Sequence, residues 1–496
     1  MKDMKRLLSI LLAILMFGSS CSQKTETESE KDTAADSALI STETQPAEPM
    51  WLDNLPKDLD YDGIEVNIAY YDLFCTAELV AELTGEVVGD AVYERNHNVE
   101  ERLNVKLNMI NSGADWGGTA SFVRNLTTSG DSTFDFVDAF QATMTGLSTD
   151  GTLANLAKSQ YLEVEQPWWA TDYINEMRIG NQSLFCIAGA ANLGMTDNMS
   201  CIYFNKSVLN NHSDGLGVDV DSIYQLVLEQ KWTLERMYTL ASSVYVDTNG
   251  NGEYDNEDTY GGGSITGNHS WHLFIDAGGR FTRRDAEGIP VLCAGDEKNI
   301  NIMEQIAAMY SNPNVYYAES SENGLNELIV MFTKDQLLFK TGFFQDVVKM
   351  REMESQYGIL PCPKYDEMQE RYLSLIHDCG TMFVVPASCK DVDFSCTILE
   401  AIASESYRIV TPAYYEIALK TKYISDSTSG KVIDMIQQGA TSDFAYIFNG
   451  DFGSPMNVLV SEVLLSKSNT YASRWSRIQK KSENGLQKLL EAYTGE

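Results

Sequence analysis

Asp247, Asn249, Asn251, Asp255 and Asp258 occupy the first, third, fifth, ninth and last places of a single run, Asp247-Thr-Asn-Gly-Asn-Gly-Glu-Tyr-Asp-Asn-Glu-Asp258, with Gly252 in sixth place. Ca²⁺ binds about 6–8 oxygens at once, so a loop that holds it must interleave oxygen-bearing side chains and turn sharply after the third. This run has that spacing. Asp247, Asn249 and Asn251 would be the early ligands, Glu253 would offer its backbone carbonyl, and Asp255 would bind directly or through water. Asp258 closes the loop where a longer Glu is usual, which points to a weak, structural site. The competing reading is an acidic surface turn that binds nothing. Five matched ligand positions and the glycine favour the metal.

The elements around the loop are legible too. Thr233 and Glu235 mark a helix start, and Leu234, Met237, Tyr238, Ala241, Val244 and Tyr245 recur at helical spacing. The periodicity predicts a helix running to the loop. Thr259-Tyr-Gly-Gly262 reads as a breaker after it.

The N-terminal residues read as an export signal. Lys2, Lys5 and Arg6 precede the apolar run 7–17, and Gly18-Ser-Ser-Cys21 gives small residues before a cysteine. The apolar run is too short to span a bilayer. The pattern resembles a bacterial lipobox, with Gly18 where Leu is usual, and it predicts lipidation at Cys21 after removal of 1–20. Residues 21–58 are rich in Glu, Thr, Ser, Ala and Pro and read as a flexible tether. The remainder, roughly 440 residues, is enough for two or three lobes. A formal charge of −35 argues against nucleic acid as a partner. Beyond Cys21 there are eight cysteines at spacings that form no compact disulfide framework, so free thiols are expected. No CxxC pair and no histidine cluster points to zinc.

Along the ordered part, Ile64, Val66, Ile68 and Tyr70 alternate as a strand. A helix over 90–103, a strand at Val105, Leu107 and Met109, a helix over 122–128 and a strand over 134–140 follow. That order implies a parallel sheet with helical crossovers. Ligands of such sheets sit beyond the carboxyl ends of strands, which places Tyr71-Asp72 and Phe140-Gln141 at a binding edge. Further strands are expected at 357–361 and 381–386, helices at 300–310 and 326–332, and a largely helical C-terminal third.

Several segments, in order, resemble the extracellular solute-binding proteins (family 1, maltose-binding-like) of carbohydrate ABC importers. They are Tyr93-Glu-Arg-Asn96, Gly151-Thr-Leu-Ala-Asn-Leu156, Pro167-Trp-Trp169, Ile202-Tyr-Phe-Asn-Lys206, Lys231-Trp-Thr233, Asp276-Ala-Gly-Gly279 and Tyr357-Gly-Ile-Leu-Pro-Cys-Pro-Lys364. One departure is Asp335 in Phe332-Thr-Lys-Asp335, where glycine is frequent. The resemblance implies an α/β, two-lobed periplasmic-binding-protein-like (type II) fold with mainly parallel sheets. It implies lobe 1 over 59–195 and 343–406, lobe 2 over 196–342 and 407–496, and crossings near 190–200, 340–345 and 405–410. It maps ligand contacts onto Asp72, Gln141, Thr143, Asn268, His269, Trp271 and Phe344, and further onto Tyr446 and Phe448. Trp168 and Trp169 read as core. The implied function is capture of a carbohydrate, an oligosaccharide, in the cleft by a monomeric, lipid-anchored protein on the outer face of the cell membrane. Delivery would be to the permease subunits of an ABC transporter.

The competing classes are a secreted glycoside hydrolase working with two carboxylates, and a non-sugar solute-binding protein of the same fold. With 71 acidic residues a suitable carboxylate pair could exist, yet no GxSxG, HExxH or phosphate loop supports an enzyme.

Overall fold

The computed structural model describes residues 51–494 apart from 73, 116, 181 and 421–426. The expected signal peptide, most of the expected tether and Cys21 lie outside the described residues.

Two sheets organise the chain. In the first, β1 (Ile64–Tyr70) lies between β2 (Val105–Asn111) and β3 (Phe136–Phe140), both parallel to it. This is the strand–helix–strand alternation of the sequence, with crossover helices Val87–Leu103 and Thr119–Ser129. The sheet is completed by β4 (Cys186–Ile187), which pairs with the antiparallel strand β14 (Thr381–Val384). β3 and β14 are buried along their whole length, as strands covered on both faces must be. The second sheet contains β5 (Ser200–Asn205), β6 (Tyr245–Val246), β7 (Thr259–Ile265), β10 (Val315–Ala318), β11 (Leu337–Phe343) and β12 (Tyr357–Leu360). Its order is β10-β7-β11-β5-β12, with β6 on β7 and β5 antiparallel to its neighbours. Two small pairings lie beside it: β8 (Thr282–Arg284) with β9 (Pro290–Leu292), and β13 (Ser374–Leu375) with β15 (Ala440–Thr441).

The sheet register corrects the expected boundaries. Tyr357–Leu360 pairs with β5, so the stretch around 343–376 belongs with the second sheet and not with the first lobe. The crossing expected at 340–345 is instead the segment 376–380, which leads from β13 to β14. It runs beside the crossing 188–199, with Met199 bridged to Ile376 and His377 N–H on Asn198 O at 3.0 Å. The crossing expected at 405–410 also moves. There the helix Val392–Glu405 continues through a π-helical turn, Ser406–Val410, into Thr411–Lys420, which packs on Val87–Leu103. The chain packs on β12 only with the helix Ser427–Gln438.

The last expected tether residues are folded. Asp53 is buried and accepts from Arg102 Nη1 and Nη2, both at 2.6 Å, and from Ser404 Oγ at 2.6 Å. Leu55 is in the core and the Trp51 ring lies under the Arg102 guanidinium at 4.5 Å. A composition rule sees only the average polarity of a segment and misses a single buried ion pair.

Thr233 caps the predicted helix through Arg236 N–H, but the helix ends at Ser242 and Tyr245–Val246 is a strand. Thr259–Gly262, expected as a breaker, opens β7, and Asp247–Asp258 is therefore the loop of a β-hairpin. The glycines of β7 answer a packing demand. A Cβ on Gly261 would lie 1.7 Å from Ala241 O, so the helix Leu234–Ser242 sits directly on that strand. Asp335 has φ +60°, the left-handed region that explains why glycine suits this position. Its carboxylate accepts from Asn205 Nδ2 and Ser355 Oγ, both at 2.6 Å.

Candidate functional site

Both crossings start and end at the carboxyl edges of the parallel strands. Thr381 pairs with Phe140, the last residue of β3, and Ser200 pairs with Phe343, the last residue of β11. The two carboxyl edges therefore face the same connecting zone, where open α/β sheets place their ligands.

A file of side chains spans this zone from one sheet to the other. Gln141, buried at the end of β3, accepts from the Tyr173 hydroxyl at 2.5 Å. Its backbone N–H and that of Ala142 donate to Gly380 O and Asp378 O at 3.0 Å. The Tyr446 hydroxyl lies beside Asp378 and Tyr173. The Tyr446 ring meets Trp271 edge to face at 5.9 Å, and the Trp271 indole N–H donates to Ser461 Oγ at 2.6 Å. Burial pushes the Tyr173 and Tyr446 hydroxyls well above the ordinary tyrosine pKa, so both remain neutral donors. On the floor, His377 lies 2.9 Å from Asp378 and edge to face with Phe343 at 5.2 Å. Burial opposes its charging, but the Asp378 carboxylate outweighs burial and lifts its pKa to about 10.

The remaining expected ligand residues are placed as follows. Asp72 is exposed at the end of β1. Thr143 is half-buried and donates to Phe140 O at 3.1 Å. Phe344 is buried and tied to the first crossing through its N–H on Met199 O at 3.1 Å. Phe448 is buried against Phe444 and Tyr493. The side chains of Asn268 and His269 lie outside the described residues. Gln141, Trp271 and Tyr446 are thus joined in one file, while Thr143, Phe344 and Phe448 face backbone or core. The sequence reading missed Tyr173, Asp378 and His377. None carries a local motif, and all three reach the site through tertiary contacts. It also missed a groove of about 670 Å³ beside the crossings, lined by Trp169, Asp172, Tyr407, Tyr415 and Gln437 among others.

Trp168 and Trp169 are core residues, as the sequence reading had them. Both indole N–H groups donate to Glu400, at 2.8 and 2.9 Å. Burial pushes the Glu400 pKa up to about 7. The eight cysteines from Cys75 onward are free thiols, six of them buried.

In the hairpin loop, Asp247 accepts from Gly250 N–H at 2.7 Å and Gly252 N–H at 3.0 Å, and Gly252 makes the turn at φ +77°. Asn249 and Asn251 turn their side-chain amides toward Asp255, at 3.1 and 2.7 Å. Asp258 is buried at the hairpin base, accepting from Thr248 N–H and the Tyr245 hydroxyl at 3.0 Å each. Glu253 is exposed. Four oxygen-bearing side chains therefore share the solvent side of the loop, and Asp258 closes it from within.

The fold is that of the periplasmic-binding-protein-like solute-binding proteins. No family model matches the sequence, and no curated protein matches it either. Solved structures share its architecture at low identity. The cyclic α-maltosyl-1,6-maltose binding protein of Arthrobacter globiformis aligns at TM-score 0.55 and 13% identity, over 86% of this chain and 99% of its own. A sugar transporter of Rhizobium etli in an open conformation aligns at 0.53 and 14%, over 87% and 100%. The GacH receptor of Streptomyces glaucescens, solved unliganded and with acarbose, aligns at 0.52 and 13%, over 87% and 99%.

Proposed function

We propose that this protein captures an uncharged carbohydrate, an oligosaccharide, between its two sheets and passes it on unaltered to an ABC permease. The observation that carries the reading is the convergence of both carboxyl edges on one zone crossed by Gln141, Tyr173, Tyr446 and Trp271. Aromatic faces suit the C–H side of a pyranose, while amide and phenol groups suit its hydroxyls. The solved structures of like fold include a cyclic α-maltosyl-1,6-maltose binding protein, a sugar transporter and a receptor solved with acarbose, which supports this class of ligand. In the described conformation these side chains are buried against one another, so entry of a sugar requires the sheets to part. Of the expected contacts this reading keeps Asp72, Gln141, Asn268, His269, Trp271 and Tyr446 and adds Tyr173; Thr143, Phe344 and Phe448, which face backbone or core, drop out.

Capture calls for no chemistry. Among the described residues, the deeply buried Glu78 and Asp138 face each other out of reach of any substrate, which speaks against their use as a glycosidase pair. Calorimetry over a panel of neutral glycans tests the proposal. Heat of binding without product formation is the expected result, and turnover of any glycan overturns it.

Two further parts belong to the same reading. Cys21 would carry the lipid that holds the protein at the outer face of the membrane. Among the described residues no helix is long and apolar enough to cross a membrane. The hairpin loop would hold one structural Ca²⁺ through Asp247, Asn249, Asn251, Asp255 and the Glu253 carbonyl, with Asp258 anchoring its base. The ion would add rigidity to the edge of the second sheet.

A further inference from the structure

One buried polar cluster touches the segments that join the two sheets. Glu78 lies in the last turn of the short helix Phe74–Leu79 that follows β1, and it is completely buried. Its Oε2 accepts from Gly194 N–H at 2.7 Å, in the crossing 188–199. The same oxygen accepts from Thr381 Oγ1 at 2.9 Å, immediately after the crossing 376–380. From the first crossing, Asn192 turns its side-chain amide toward Glu78 while its Oδ1 accepts from Gly189 N–H at 3.0 Å. Arg95 donates from Nη2 to the Glu78 carbonyl at 2.7 Å and from Nη1 to Ser406 Oγ at 3.1 Å, where the π-helical turn begins.

Asp138, from the middle of β3, faces Glu78 with the Cys75 thiol beside it. A ligating atom from each of the three lies within 4.8 Å of the other two. Glu78 Oε1 and both Asp138 carboxyl oxygens are buried and receive no hydrogen bond from any N–H or O–H group at their positions. The cation facing the pair is Arg95. Behind it Glu405 engages Arg408 and Asn98.

Two carboxylates and one guanidinium leave a net negative charge in a buried site, with three oxygens that accept from no N–H or O–H group of the protein. A single proton supplies the missing charge and joins one oxygen of each carboxyl in an O–H···O bond, leaving the third oxygen to the Cys75 thiol. We propose that Glu78 and Asp138 share one proton at neutral pH, and that this acid pair is the positioning element that sets the crossings between the sheets. Burial raises the Glu78 pKa, and burial together with the Glu78 charge raises that of Asp138 well above the ordinary aspartate value, in agreement with retention of the proton. The sign follows. A carboxyl whose pKa is raised in the native state contributes stability that is present at low pH and lost as pH rises through the raised value. Ordered crossings therefore belong to neutral and acidic solution and loosen on the alkaline side. The consequence for ligand capture rests on the proposed function, whereas the shared proton does not.

The test is infrared spectroscopy of the full chain, which reads the C=O stretch of a protonated, buried carboxyl. Glu400 contributes a band of its own near neutral pH, so the pair is read by difference: wild type minus Glu78→Gln and wild type minus Asp138→Asn should each show the band at neutral pH. Small-angle scattering over a pH series reads the arrangement of the sheets. The wild type should expand as the band disappears at alkaline pH. Glu78→Gln should stay compact throughout, because its amide accepts from Gly194 and Thr381 and donates to Asp138 at any pH. Absence of the band from these differences, or a stoichiometric metal ion in the purified protein at the Cys75–Glu78–Asp138 set, overturns the shared proton. Equal pH profiles for wild type and Glu78→Gln overturn the positioning role. Failure of every glycan to bind leaves the infrared result standing and counts against the sugar reading alone.

Discussion

Asp53→Ala probes whether the chain is folded before residue 59. The Asp53 side chain is fully buried and the Arg102 side chain is 7% exposed. The carboxylate accepts both Arg102 Nη groups, Ser404 Oγ and the Leu55 N–H, the last at 3.0 Å. Removing it leaves a buried guanidinium with no counter-charge, which costs about 3–5 kcal/mol. Chemical denaturation at neutral pH reads that cost as a lower midpoint with an unchanged slope. Burial alone would raise the Asp53 pKa, but Arg102 and Ser404 outweigh it and hold it below the ordinary aspartate value. A depressed carboxyl gives stability that is present above about pH 4 and lost as pH falls through the native pKa. The wild type and the variant should therefore converge in acid. A second pair separates docking from charge: a chain beginning at Trp51 should match the full chain in stability, and one beginning at Leu59 should lose at least as much as Asp53→Ala. If the chain beginning at Leu59 is as stable as the one beginning at Trp51, residues 51–58 are a tether and the reasoning fails.

Gly261→Ala should cost about 3 kcal/mol or more, because the new Cβ meets the Ala241 carbonyl of an adjoining helix at 1.7 Å; thermal unfolding checks this. Addition of Ca²⁺ should raise the melting temperature, by about 2.7 kcal/mol in stability at a hundredfold excess over Kd. Asp247→Ala should abolish that gain, and an unchanged melting temperature on EDTA treatment of the wild type would show the loop to be a bare turn. For Glu400, whose pKa is raised to about 7, native stability should fall as pH rises from the ordinary glutamate range to about 7. Glu400→Gln should remove that slope. It should also cost about 1–3 kcal/mol by leaving an indole N–H of Trp168 or Trp169 without an acceptor, as denaturation across pH would report.

Periodicity and local chemistry were enough for the elements of the first sheet. β1, β2 and β3 and their two crossover helices follow from alternation and helical spacing, because both are dictated by nearest neighbours along the chain. The Thr233 cap was legible for the same reason, whereas the loop 247–258 was located but read as following a helix, when it joins two strands of a hairpin. What the sequence could not show is which strand pairs with which. Tyr357–Leu360 reads equally well as a strand in either sheet, and only its hydrogen bonds to β5 place it in the second. The glycines of β7 look like a breaker until Ala241 is seen pressed against them, and Asp53 looks like tether until Arg102 arrives from 49 residues away. Candidate ligand positions divided along the same line. Strand ends located Gln141 and Asp72, whereas Tyr173, Asp378 and His377 enter the site only through long-range contacts. The pairing of Glu78 with Asp138 belongs to this second kind. Two acids 60 positions apart carry no signal in sequence, and their chemistry exists only once folding removes water from between them.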